Sequence, residues 1–257
     1  MSQLVNVCEE AARAGGKAIQ QFRGPLGVRE KGPSDLVTEA DLASQRAIRR
    51  IVETAFPTHG FVGEEEGATQ RPDAEYCWVA DPLDGTANFV HGLPQYSVSV
   101  AVERDGVVQA GAVYDPVAEE CYTAIRGGGA YLNGIQLRTS RVEQIGQAML
   151  AISLPPKVKP ESVDMRDLVE ITQHCQAIRR MGSAALNLCY LAAGRIDGYW
   201  AAVIYPWDVA AGVLAVCESG GVVTARDGGP FDLWRPAFLA AATESLHAQI
   251  ASHLTGC

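Results

Sequence analysis

Leu4, Val7, Cys8, Ala11, Ala14, Ala18 and Phe22 recur every three or four residues, the apolar stripe of an amphipathic helix over residues 3–23. Gly24 and Pro25 are placed to end it. After a loop at 25–37, Thr38 with Asp41 three positions on has the form of a capping box. Leu42, Ile48, Ile51, Val52 and Ala55 continue a second helical face as far as Pro57. From Gln95 to Leu137 the period drops to two, cut by Asp105-Gly106, Asp115-Pro116, Gly127-Gly128-Gly129 and Asn133-Gly134, so this stretch predicts an antiparallel meander. From about Gln147 short apolar runs (147–153, 196–204, 220–225, 237–242) alternate with helical segments (162–175, 183–194, 206–219, 244–255), the signature of an α/β half. The polar stretch at 138–147 divides the two patterns. The expected organisation is an N-terminal α+β part, 1–142, with the meander, and a C-terminal α/β part, 143–257, closing on it.

The chain has 257 residues, and 21 Lys and Arg against 30 Asp and Glu give a net charge of −9, which excludes a general nucleic-acid coat. A chain this long buries about 70–75% of its unfolded surface and needs no disulfides to fold. The seven cysteines form no CxxC pair and read as reduced cytosolic thiols, mostly small core residues. No apolar run reaches the roughly 20 residues of a membrane span, and Glu9 and Glu10 interrupt what a signal peptide would keep hydrophobic. The expected location is therefore cytoplasmic, with no membrane partner. The five histidines (59, 91, 174, 247, 253) form no HxxxH or HExxH pair and read as surface or satisfied residues. Arg46, Arg49 and Arg50 lie on a helix with few aromatics nearby and read as a solvated face, so no nucleic-acid partner is expected.

The candidate chemistry is carboxylate chemistry. In Trp78-Val79-Ala80-Asp81-Pro82-Leu83-Asp84-Gly85-Thr86 an apolar strand ends in two acids three residues apart, where Pro82 halts regular pairing and Gly85 permits a sharp turn into a helix start. Two carboxylates held close repel unless a cation lies between them. Read alone, Asp81 and Asp84 serve equally well as turn and cap residues. Glu64, Glu65 and Glu66 follow the apolar pair Phe61 and Val62, either at a strand end or on a solvated acidic loop. Asp208 falls in the first turn of the apolar helix opened by Pro206, where the helix dipole favours an anion with or without a function. All the donors are oxygens, so a shared cation would be hard, Mg²⁺ or Mn²⁺ and not Zn²⁺. N–H groups at Gly85, Thr86 and Ala87 are placed to receive an anion such as phosphate.

Two long stretches, WVADPLDGTANFVHGLP (78–94) and PWDVAAGVLAVCESGG (206–221), resemble the signatures of the inositol monophosphatase family. The similarity extends through DLVTEAD (35–41), FVGEEEG (61–67), GAVYDP (111–116), GAYLNG (129–134), MGSAALNL (181–188) and GGPFDLW (228–234). The resemblance implies an α+β fold, a layered αβαβα sandwich that usually dimerises, and a lithium-sensitive, Mg²⁺-dependent phosphomonoesterase acting on a small phosphorylated metabolite. It implies Glu64, Asp81 and the carbonyl of Leu83 as ligands of one Mg²⁺, Asp81, Asp84 and Asp208 as ligands of a second, and a third, weaker ion near Glu64. Asp41 and Thr86 match the pair that orients and deprotonates the attacking water, with Glu65 a neighbouring carboxylate. Gly85 and Thr86 would hold phosphate, and Gly182, Ser183 and Ala184 would lie along the substrate. The sequence departs from the family at Ala201, where inositol-preferring members carry a glutamate that bonds ring hydroxyls. Inositol monophosphate is thus a default substrate, with histidinol phosphate, fructose 1,6-bisphosphate and 3′-phosphoadenosine 5′-phosphate as alternatives, and a non-catalytic regulatory binding protein as the alternative of another class.

Overall fold

The computed structural model describes residues 2–22, 29–32, 35–65, 67–69, 74–155 and 157–254, with the backbone alone at 29–32, 35–37 and 67–69. Gly24, Pro25 and Glu66, named above, and Cys257, the last of the seven cysteines, lie outside the described residues. The first helix, α1 (Ser2–Ile19), stops short of the expected residue 23. The N–H groups of Gln21 and Phe22 turn back to the carbonyls of Ala18 and Ile19, three residues earlier, and tighten the last turn. Phe22 still packs, half-buried, on the same core. The expected loop at 25–37 contains an antiparallel ribbon, β1 (Arg29–Gly32) and β2 (Asp35–Val37). Its strands, three and four residues long and mostly charged or polar, carry no alternation that a sequence reading could detect. The capping box is present: α2 (Glu39–Ala55) begins with the Thr38 hydroxyl oxygen accepting from the N–H of Ala40, while the N–H of Thr38 donates to Asp41.

The chain then forms β3 (Gly60–Gly63), β4 (Gly67–Thr69), β5 (Cys77–Asp84), the short α3 (Thr86–Val90) and the meander β6 (Ser97–Arg104), β7 (Val107–Asp115), β8 (Glu120–Ile125), β9 (Gly129–Leu132) and β10 (Ile135–Gln136). Asp105 and Asn133, with φ of 54° and 47°, sit in the left-handed region at the two tightest hairpins, as their Asp-Gly and Asn-Gly pairs predict. The C-terminal elements are β11 (Met149–Ser153), α4 (Val163–Thr172), β12 (Ala177–Arg179), α5 (Ala184–Ala192), β13 (Gly198–Ala201), α6 (Pro206–Glu218), β14 (Val222–Ala225), β15 (Phe238–Ala241) and α7 (Glu244–His253). They follow the alternation of runs expected from Gln147 onward, with β12 the strand not foreseen. None of the described helices is long and apolar enough to cross a membrane.

Two mixed sheets result, one of eight strands in the order β10-β9-β8-β7-β6-β5-β3-β4 and one of five in the order β12-β11-β13-β15-β14. Strand alternation assigns their faces. In β5 and β6, Trp78, Ala80, Val98, Val100 and Val102 pack with α1 and α2, whereas Val79 and Ala101 face α5 and α6. In the smaller sheet Ala151, Tyr199, Ala201, Phe238 and Ala240 share that α5–α6 core, while Leu150, Ile152, Trp200 and Leu239 turn outward to Ile171 of α4 and Leu246 and Ile250 of α7. The layers are therefore α1–α2, large sheet, α5–α6, small sheet, α4–α7, the αβαβα sandwich expected.

The central helices can lie this close because they and the sheet are lined with small residues. A Cβ on Gly111 of β7 would stand 2.8 Å from the Cα of Ala211 in α6. Gly111→Val is accordingly expected to force the layers apart and cost about 1–3 kcal/mol, the usual range for overpacking. Urea denaturation would register this as a lower midpoint with an unchanged slope.

Candidate active site

The site forms where β5 leaves the large sheet. Residues three apart on a regular strand point to opposite faces, yet the β5–β6 register shifts between Asp81 and Asp84, and the bulge turns both acids towards α5 and α6. Pro82 sits inside this break, its carbonyl accepting from Ser44 of α2 at 2.7 Å. The N–H of Leu83 donates to Asp81 Oδ1 at 2.9 Å. Gly85, at φ 94°, then reverses the chain into α3, and a Cβ there would lie 2.9 Å from the carbonyl oxygen of Gln95. Only glycine combines that torsion with that approach.

Three other elements deliver their acids to the same place. Glu64 follows β3, whose C-terminal end lies parallel to β5, and its N–H donates to the carbonyl of Ala80 at 3.3 Å. Asp208, in the first turn of α6, accepts from the N–H of Tyr205 at 2.9 Å. Asp41 is fixed from both sides: Oδ2 accepts the Thr38 N–H and hydroxyl at 2.7 and 2.6 Å, and Oδ1 accepts the Thr86 hydroxyl at 3.2 Å. Asp41, Asp81 and Asp84 are buried, and Asp208 is half-buried.

Burial and mutual repulsion dominate the electrostatics. Desolvation, then the charges of Glu64, Asp84 and Asp208, hold the Asp81 carboxyl well above the usual carboxylate range. Asp208 is pushed up to about 8 by burial and by Asp84, and Asp84 to about 6 by burial. Asp41 is raised as well, chiefly by desolvation. Among Asp81, Asp84 and Asp208, Asp84 rises least because the start of α5 donates to it: the Ser183 hydroxyl at 2.5 Å and the N–H of Ala185 at 2.8 Å on Oδ2, and the N–H of Ala184 at 3.0 Å on Oδ1. A carboxylate offers about four lone-pair positions, so Oδ1 keeps one for a cation.

These residues fit divalent ions. Glu64 and Asp84 repel both Asp81 and Asp208, which lie within hydrogen-bond reach of each other, Asp84 retains an acceptor position, and all the donors are oxygens, the set preferred by Mg²⁺ and Mn²⁺. Beside them a cleft of about 560 Å³ is lined by Glu64, Asp84 and Asp208 together with the apolar Leu154, Val203 and Ile204.

Glu64, Asp81, Asp84 and Asp208 come together, as do Asp41 and Thr86. Glu65 is half-buried beside Glu64, its N–H bonded to Gln45 Oε1 at 3.0 Å. Gly182 and Ala184 line the cleft, whereas Ser183 is buried beneath it, tied to Asp84 and capping α5 through the N–H of Leu186. Ala201 is wholly buried in the core, so the expected ring-side position has no exposed surface, and Val203, Ile204 and Tyr205 form that wall. Asn88 is an addition to the expected set. Its amide donates to the carbonyls of Gln95 and Met181, stitching α3 to the segment before α5. An Asn inside a run of motif residues gives no separate signal of this. Ser183→Ala should remove a cap and a buried donor together, lowering stability by about 1–2 kcal/mol by chemical denaturation.

The profile of the inositol monophosphatase family matches residues 1–257, the full length of the chain. The chain belongs to the inositol monophosphatase family. Membership makes it a phosphatase, and the family uses metal ions. Among similar proteins, the Nus factor SuhB of Pasteurella multocida is 41% identical over 89% of this chain and 87% of its own length. The inositol-1-monophosphatase of Mesorhizobium japonicum is 39% identical over the same shares. The extragenic suppressor protein suhB of Bartonella henselae superposes with a TM-score of 0.93 at 36% identity, covering 98% of both chains.

Proposed function

We propose that the chain is a Mg²⁺-dependent phosphomonoesterase that hydrolyses the phosphate ester of a small polyol, with inositol monophosphate as the default substrate. The observation that carries this reading is the convergence of the buried Asp81 and Asp84 of β5 with the half-buried Asp208 of α6 and Glu64 at the end of β3, whose crowding raises the proton affinity of the three aspartates, an arrangement that a divalent cation stabilises. Glu64, Asp81 and the Leu83 carbonyl would hold one Mg²⁺, and Asp81, Asp84 and Asp208 a second. A third, weaker ion would lie near Glu64, with Mn²⁺ able to substitute. Divalent ions bound there supply Lewis-acid activation of water and neutralise charge at the leaving oxygen.

The chain's own groups do the rest. Asp41 accepts the proton of the attacking water, and Thr86, hydrogen-bonded to Asp41, orients that water, with Glu65 nearby. The N–H groups of Gly85 and Thr86 hold the phosphate. Water attacks phosphorus in line, the bond to the ester oxygen breaks, and the departing oxygen takes a proton from solvent while Asp41 returns its own to solvent, releasing alcohol and phosphate. No Ser or Cys nucleophile takes part. The segment 1–142 supplies most of the acids, and 143–257 supplies Asp208 and closes the cleft, with Gly182 and Ala184 along the leaving group and Ser183 beneath them holding Asp84. The apolar wall at Val203 and Ile204 and the buried Ala201 offer no acceptor for ring hydroxyls, which weakens the case for inositol and keeps histidinol phosphate, fructose 1,6-bisphosphate and 3′-phosphoadenosine 5′-phosphate as candidates. The working form is a cytoplasmic homodimer.

Phosphate release from this panel, ranked by kcat/KM, tests the reading. Release should stop with EDTA, return with Mg²⁺ and be inhibited by millimolar lithium. Turnover indifferent to chelation would overturn it. The relatives that carry the name Nus factor SuhB, at 40–41% identity, favour a second reading in which the chain acts as a regulatory binding partner. In that case a protein that releases no phosphate would still support the biological role.

A further inference from the structure

On the outer layer, apart from the carboxylate cluster, α4 and α7 bring together three side chains that linear spacing does not join. Glu170 lies in the last turn of α4, and His174 follows four residues later, just beyond its end. His253 is the last residue of α7. Ile171, Leu246, Ile250 and Leu254 pack beneath them and fix the two helix ends side by side. Glu170 Oε1 lies 3.1 Å from His174 Nε2 and 3.2 Å from His253 Nδ1, and the imidazoles stack with centroids 4.1 Å apart at 24°. The three ligand atoms all fall within 4.8 Å of one another.

We propose that Glu170, His174 and His253 form a binding site for a borderline transition-metal ion, Zn²⁺ in the first instance, that ties α4 to α7. Zinc bonds of 2.0–2.2 Å in tetrahedral geometry separate neighbouring ligands by about 3.3–3.5 Å, within a few tenths of an ångström of the two Glu–His separations here. Two imidazoles and one carboxylate select Zn²⁺, Co²⁺ or Ni²⁺ over Mg²⁺, the reverse of the preference of the all-oxygen cluster. Both helices also turn their C-terminal, electronegative ends towards the point where the cation would sit. The partly exposed ligands leave coordination positions to water.

The test is titration of the full-length protein with Co²⁺ and Zn²⁺ in millimolar Mg²⁺, which occupies the oxygen site, with calorimetry and the visible Co²⁺ spectrum as readouts. One Co²⁺ with nitrogen-ligand absorption is expected, together with a rise in Tm on adding Zn²⁺. His174→Ala and His253→Ala should each weaken binding at least about tenfold. Glu170→Gln distinguishes a metal site from a purely hydrogen-bonded trio, since the amide oxygen still accepts from the rings but is a poor ligand. All three variants should keep wild-type phosphatase activity, and Asp84→Asn should keep the Co²⁺ spectrum. Absence of Co²⁺ binding in Mg²⁺, or binding that Glu170→Gln and both histidine variants leave unchanged, overturns the proposal.

Discussion

Asp84→Asn is expected to lower kcat/KM by at least about 100-fold while leaving a folded protein, because losing the metal ligand proposed at this position should cost at least as much as the 10–100-fold seen for a supporting shell. Asn matches Asp in shape but has a single acceptor oxygen. Its NH₂ would face either the N–H of Ala184 or the donors of Ala185 and Ser183, costing about 1–3 kcal/mol. Relief of repulsion with Asp81 and Asp208 offsets part of that. The two contributions oppose one another in stability and add in activity, so kcat/KM should collapse while Tm shifts little. An Asp84→Asn protein with near-normal turnover would remove the carboxylate cluster from the chemistry.

The second large effect concerns stability in the absence of divalent ions. A carboxylate whose pKa is higher folded than unfolded binds more protons when folded, so its contribution favours folding at low pH and is lost as pH rises. For Asp84 the loss runs from the ordinary 3.8 up to about 6, and for Asp208 up to about 8, with Asp81 and Asp41 moving in the same direction. Each unit of displacement is worth about 1.4 kcal/mol. EDTA-treated protein should therefore lose several kcal/mol between pH 5 and pH 8, against the usual trend for a protein with salt-bridged acids. Mg²⁺ should restore more stability at pH 8 than at pH 5. Scanning calorimetry across that range, with and without Mg²⁺, checks both statements. A Tm that climbs with pH in EDTA would show that the acids do not repel as placed.

Much of this was legible in the chain because its signals are local. The Asp-Gly and Asn-Gly hairpins, the Thr38–Asp41 capping box and the alternation after Gln147 each depend on neighbours within a few residues, and each appears where the pattern puts it. Asp81, Asp84 and Asp208 could be nominated because each ends or begins an apolar run, whereas only the family resemblance separates Glu64 from Glu65 and Glu66. What stayed illegible depends on distant partners. The β1–β2 ribbon has too few residues for a period. The resemblance puts Ser183 along the substrate, and that its hydroxyl instead caps α5 and secures Asp84 requires knowing that α5 starts against the β5 bulge. His174 and His253 carry no usable spacing, since only the packing of α4 against α7 makes them neighbours. The family resemblance points to Ala201 as the ring-side position, and the burial of β13 moves the wall of the cleft to residues beyond it.

Asp41 and Asp208 are separated by nearly two thirds of the chain, yet both must arrive before the cluster exists. The meander closes through short hairpins that form early, whereas the junction of α5 and α6 with the β5 bulge waits on the most remote loop closures, the slow part of folding. Catalysis is thus a late reporter of assembly: during refolding, backbone dichroism should recover ahead of turnover, and a nick that separates the two ends of the chain should silence the enzyme before it unravels the sheets.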